Sequence, residues 1–102
     1  MARKSVLASK VEQEIKLLQR HVTMLKAIVE HQPIGIIRLS EMLNYPQHKV
    51  RYSLRILEQE GLIKPSQDGA LTTDKLDTFL EYLKTLLDEV ADTVQDLRKA
   101  IG

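Results

Sequence analysis

Six polar residues within nine positions, Gln47, His48, Lys49, Arg51, Tyr52 and Arg55, carry the most specific chemistry in this chain. Arg can make a bidentate pair with a guanine edge in the major groove, and Gln can do the same with adenine. Lys and Arg also neutralise phosphates. A histidine ring donates or accepts at a base edge, and a tyrosine offers a ring for a thymine methyl or a hydroxyl for a phosphate. No acidic residue stands between Pro46 and Ile56, and the first one, Glu58, comes late. A polyanion lying along this stretch would meet attraction throughout.

That chemistry requires the six residues to share one face of a helix whose other side is anchored. With Val50, Leu54 and Leu57 turned inward, a step of about 100° per residue sends His48, Tyr52, Arg55 and Gln59 directly outward. Lys49 and Arg51 then lie on the flanks. Gln47 is nearer the inner edge but in the first turn, where such helices make most of their base contacts. The pattern assigns base reading to Arg51 and Gln47, and phosphate contact to Lys49 and Arg55. Tyr45 is expected to pack at the corner between two helices.

The elements that would position this helix read as follows. Residues 1–10 are small, polar and basic, and are expected to be flexible; Arg3, Lys4 and Lys10 could touch phosphates. Apolar residues at Val11, Ile15, Leu18, Val22, Leu25 and Val29, widened by Leu17, Met24 and Ile28, predict an amphipathic helix that Gln32-Pro33 ends. Ile36-Ile37 suggests a very short strand. A helix from Leu39 to Asn44 follows, with Leu39, Met42 and Leu43 inward and Asn44 as a left-handed cap. The polar helix runs from about Pro46 to Glu60, with Pro46 in its first turn and Gly61 as its stop. In LIKPSQDGALTT, Asp68-Gly69 signals a hairpin turn, and Lys64, Ser66 and Gln67 stand on that hairpin. They are candidates for minor-groove or phosphate contact.

From Asp74 to the end the spacing predicts one helix, capped by Asp74 or Thr73. Leu76, Leu80, Leu83, Leu87, Val90, Val94, Leu97 and Ile101 step by four and three, a heptad seam with Phe79 and Leu86 beside it. A helix of about 28 residues extends roughly 42 Å, longer than the small domain it would cover. Its stripe therefore predicts a homodimer, in which Leu76, Phe79, Leu80, Leu83, Leu87, Val90, Val94 and Leu97 meet a second copy. The breadth of the stripe favours a bundle that includes the first helix over a bare two-stranded coil.

Helix, strand, helix, helix, hairpin, long helix is the order of a winged helix-turn-helix. The stretch from Ile34 to Leu76 resembles the winged-helix transcriptional regulators of bacteria and archaea, notably in LRILEQEGLIK and in GALTTDKL. Two positions depart from that pattern: Asn44 stands where Gly is frequent, and Pro46 where Ser or Thr is usual. The resemblance implies a mainly α fold with a small β-hairpin, divided into a flexible start at 1–10, a DNA-binding domain at 11–73 and a dimerisation helix at 74–102. It implies a sequence-specific regulator that binds double-stranded DNA as a homodimer on an inverted repeat. Repression is the expected output, since nothing resembles a separate activating domain.

Composition narrows the alternatives. At 102 residues the chain has room for one modest aliphatic core. Its net charge is +1, yet residues 1–65 hold eleven Lys/Arg against six acids, and residues 66–102 hold four against eight. The two halves should meet different partners. The absence of cysteine removes thiolate catalysis and Cys-based zinc sites. His21, His31 and His48 lack His or acid partners at helical metal-site spacing, and there is no Gly-rich phosphate loop, GxSxG or HExxH. Neither enzyme activity, nor a metal, a cofactor or a small-molecule ligand is expected. The start MARKSVLASK lacks a secretory apolar segment, so a cytoplasmic location is expected. The competing reading is a winged-helix module that binds protein or RNA without DNA specificity.

Overall fold

A computed structural model describes residues 5–102. Arg3 and Lys4, with their expected phosphate contacts, lie outside the described residues. The described residues are mainly helical, with four helices and a two-stranded antiparallel hairpin. Helix α1 spans Val6–His31, and the Ser5 side chain caps it by accepting from the Ala8 backbone N–H at 3.2 Å. The helix thus starts five residues before Val11: residues 6–10, expected to be flexible, are its opening turns. Gln32 leaves the helix in extended geometry ahead of Pro33.

Ile34 then pairs with Ala70 in an isolated antiparallel bridge, with N···O distances of 3.4 and 2.8 Å. This replaces the strand expected at Ile36-Ile37, because Ile36 already opens helix α2, Ile36–Leu43. Within α2, Leu39 is fully buried and Leu43 packs on the core, whereas Met42, expected inward, is largely exposed. Asn44 ends α2 at φ 58°, ψ 39°, the left-handed cap that its amide side chain tolerates. Pro46 precedes helix α3, Gln47–Gln59, and Gly61 at φ 76° terminates it.

Strand β1, Ile63–Ser66, pairs with β2, Gly69–Thr72, so that Gln67 and Asp68 form the turn. The turn sits one residue before the expected Asp68-Gly69. Gly69 carries the positive φ of 129°, and a Cβ there would come within 2.7 Å of the Ile34 backbone N and O. Only glycine fits this approach of hairpin to bridge. Helix α4, Leu76–Ala100, starts two residues after Asp74. Thr73 ties its entry to the end of α3, with its hydroxyl donating to the Gly61 carbonyl and accepting from the Lys75 N–H.

The core forms where α1, α2, α3 and the hairpin converge, around Met24, Ile28, Ile34, Leu39, Val50, Leu57 and Leu62. On α1 the buried positions are Met24, Leu25, Ala27 and Ile28. Val11, Ile15, Val22 and Val29, which the apolar spacing put at the centre of the stripe, are exposed. The small body covers only the second half of α1, and the covered face is rotated toward Met24 and Ile28. Helix α4 divides in the same way. Leu76 and Leu83 are buried, and Phe79 and Leu80 are half-buried against the chain's own core, so two of these expected dimer residues are covered and two partly so. Leu87, Val90, Val94 and Leu97 are exposed, in a molecule 53 Å along its longest axis. Among the described residues, no helix is long and apolar enough to cross a membrane.

Candidate nucleic-acid interface

Helix α3 anchors itself through Val50, Ser53 and Leu57, all buried, with Leu54 and Ile56 half-buried beside them. The expected anchor Leu54 thus yields the innermost place to Ser53. A buried hydroxyl needs partners, because an unpaired polar group away from water costs on the order of 1–3 kcal/mol. Both of Ser53's come from α1: Arg20 Nε donates to its oxygen at 2.9 Å, and His21 Nδ1 lies 2.9 Å from the same atom. With its proton on Nε2, the neutral imidazole would accept the serine hydrogen at Nδ1 and complete a chain from Arg20 through Ser53 to His21. Burial, and then the Arg20 charge, hold the His21 pKa below its ordinary 6.5, which favours that neutral form.

Tyr52 joins the same contact. Its ring centroid is 6.0 Å from that of His21, and the Arg20 guanidinium carbon lies 5.9 Å from the Tyr52 centroid. The residue expected to point directly away from the core therefore leans toward α1, with part of its ring exposed.

The remaining outward residues fall as the helical spacing predicts. Gln47, His48, Lys49, Arg51 and Arg55 are all exposed. His48, Lys49, Arg51, Tyr52 and Arg55 surround an open depression of about 520 Å³, with Arg20 completing its rim from α1. No acidic residue lines it. The ion pairs among the described residues are Lys16–Glu12 and Lys84–Glu81, and the His31 ring lies 3.9 Å from the Glu30 carboxylate. Lys49, Arg51, Arg55 and Arg20 are thus tied to no carboxylate among the described residues; the first three are exposed, and Arg20 is half-buried.

The hairpin residues are not gathered into this depression. Ser66 and Gln67 border a separate, more apolar hollow with Leu54, Glu58 and Ile63. The Ser66 hydroxyl donates to the Gly69 carbonyl at 2.6 Å, so it braces the turn. Lys64 is exposed and lines neither hollow. Tyr45 packs against the core at the corner after α2, and its carbonyl accepts from Ser40 Oγ at 2.6 Å.

Three contributors escaped the sequence reading: Arg20, His21 and Ser53. The available signal was Arg20's place one helical turn before Met24, on the stripe that continues to Ile28. A charged residue in line with a buried stripe needs a polar partner on the facing helix. The stripe had first to be centred on Met24 for that inference to be made.

Protein-family models and curated protein sequences yield no match to this chain. Among solved structures, the activation domain of the phage T4 transcription factor MotA is similar in fold, with a TM-score of 0.56 and 22% sequence identity. The match covers 79% of this chain and 93% of that one.

Proposed function

We propose that this chain is a DNA-binding transcriptional regulator of winged helix-turn-helix type, which lays α3 in the major groove. Its role on this reading is binding, not catalysis. The observation that carries the proposal is the outer face of α3, free of acids from Gln47 to Leu57: five exposed polar residues and Tyr52, rigidly backed by Val50, Ser53 and Leu57, with Glu58 beside Arg51 and Arg55 only at its far end. Positive charge without intramolecular counterions is poised for phosphates, and Arg51 and Gln47 offer the bidentate geometry that reads purines. The fold's likeness to a domain of a transcription factor supports a role in transcription.

The homodimer belongs to this proposal. Val6, Leu7, Val11 and Ile15 of α1, and Leu87, Val90, Val94 and Leu97 of α4 with Ile101 just past its end, are exposed apolar residues. A second copy covering them by two-fold symmetry would present two α3 helices, suited to an inverted repeat with half-sites about one helical turn, ~10 bp, apart. Occupation of a promoter by such a dimer would repress it.

The same likeness favours a second reading. The neighbour is named an activation domain, and on that model the basic face of α3 would meet an acidic protein surface. Duplex binding against added salt separates the two. About four phosphate contacts per protomer should make affinity fall steeply as salt rises, with a log–log slope near −4 per protomer. Absence of duplex binding at low salt rejects the DNA reading and leaves the protein surface.

A further inference from the structure

We propose that Arg20 is a pre-positioned phosphate clamp, supplied to the α3 face by α1 and held in place by Ser53. The inference rests on duplex binding by α3 and adds to it a residue from a different element. A guanidinium carries five N–H groups. One of Arg20's, on Nε, is committed to the buried Ser53 oxygen at 2.9 Å. The other four have no hydrogen-bond or ion-pair partner among the described residues.

Two contacts restrict the side chain before any ligand arrives: the Nε–Ser53 bond, and the Tyr52 ring with its centroid 5.9 Å from the guanidinium carbon. A long side chain held by two such contacts loses little rotamer freedom on binding, so more of the interaction survives as affinity. Its position fits the role. Arg20 rims the same depression as His48, Lys49, Arg51 and Arg55, but from the flank where α1 crosses α3. When a helix enters the major groove, its flanks face the sugar–phosphate walls. The paired N–H groups of a guanidinium match two oxygens of one phosphate. Four cationic side chains around one acid-free hollow repel each other, and an anion relieves that repulsion.

A purely structural Arg20 would bridge Ser53 and stop there. The distinction is measurable by fluorescence anisotropy with a preferred and a random duplex, titrated at several salt concentrations. Arg20→Ala should weaken both duplexes alike, by about five- to tenfold at about 0.1 M salt, and reduce the log–log salt slope by about 0.9 per protomer. Arg20→Lys should retain the slope with weaker binding, because the charge stays and the fork is lost. Ser53→Ala should do the same, since it frees the guanidinium without removing its charge. If Arg20→Ala does not fold, by circular dichroism, Arg20→Gln keeps a donor for Ser53 and carries the same expected loss of slope. An unchanged slope for the folded, charge-free variant overturns the clamp even if affinity drops, and leaves duplex binding by the parent chain intact. No duplex binding by the parent chain overturns both.

Discussion

Two surfaces of this molecule stand open to water for opposite reasons. The outer face of α3 is polar and basic, and its inner side is closed by Val50, Ser53 and Leu57. One stripe of the distal half of α4 is apolar and open: Leu87, Val90 and Val94 are 44, 42 and 45% exposed, and Leu97 is 60% exposed. Water solvates the first surface well, so that face can stay uncovered until an anion arrives. Water penalises the second at about 25 cal/mol per Å² of apolar area, so that stripe favours a lasting cover. On the proposed function, the contrast separates a reversible binding face from an assembly face. The charge of the chain follows the same division, since residues 66–102 hold eight acids against four bases, which on that proposal would keep α4 away from phosphates.

The sharpest way to break this contrast is Leu87→Glu. In a two-fold dimer every substitution occurs twice at one interface, and a carboxylate without a partner is expensive to bury. Sedimentation should report the mass of a single 11.7 kDa chain where the parent sediments as a dimer, with duplex affinity falling in parallel. A parent and a variant of equal mass would mean that the distal stripe of α4 is not an assembly face.

Leu57→Ala tests the opposite side of α3. Leu57 is 3% exposed within the core, and truncating a buried leucine costs about 2–5 kcal/mol. Urea unfolding should show a loss in that range at constant slope. A loss below about 1 kcal/mol would contradict an anchored inner face. Smaller effects should divide the outer face. Arg51→Ala is expected to cost about 1–3 kcal/mol on a preferred duplex and much less on a random one. Lys49→Ala should weaken both alike and lower the salt slope by about one. Identical profiles for the two variants would refute the division between base reading and phosphate contact.

The two surfaces also differ in how far sequence alone could describe them. Helix α3 was legible because Pro46 and Gly61 bracket it and its apolar residues recur at helical spacing, so the outward positions followed by rotation. Ser53 was not, because apolar periodicity passes over a serine, and its partners Arg20 and His21 lie 33 and 32 positions away. Ile34 was missed as the bridging residue for a related reason, since its partner Ala70 exists only once the hairpin has folded back. On α1, apolar residues on several sides left the buried face undetermined until α2 and α3 packed on it. On α4 the heptad spacing was read as one continuous seam. Periodicity reveals that a stripe wants covering, but not whether its own domain or a second chain covers it: Leu76 and Leu83 are covered by their own fold, and Phe79 and Leu80 partly so.

The smallest predicted effect probes the joint behind α3. His21 is held below its ordinary pKa of 6.5 by burial first and by Arg20 second. Above pH 6.5 the ring is neutral in both the folded and unfolded chain and has no effect on the balance. As pH falls through that value the unfolded chain takes up the proton first, so stability is lost progressively until the lower folded value is passed. Protonation also makes Nδ1 a donor: the Ser53 oxygen can accept from it as well as from Arg20 Nε, but Nδ1 is then no acceptor for the serine hydrogen. No carboxylate forms an ion pair with His21 among the described residues to offset this, although Glu60 borders the same small hollow. The thermal midpoint should therefore drop modestly between about pH 7.5 and about pH 5.5. His21→Gln, which keeps an acceptor for the Ser53 hydroxyl, should flatten part of that drop. Equal drops for parent and variant would remove His21 from the joint and leave Arg20 as the only partner that matters to Ser53.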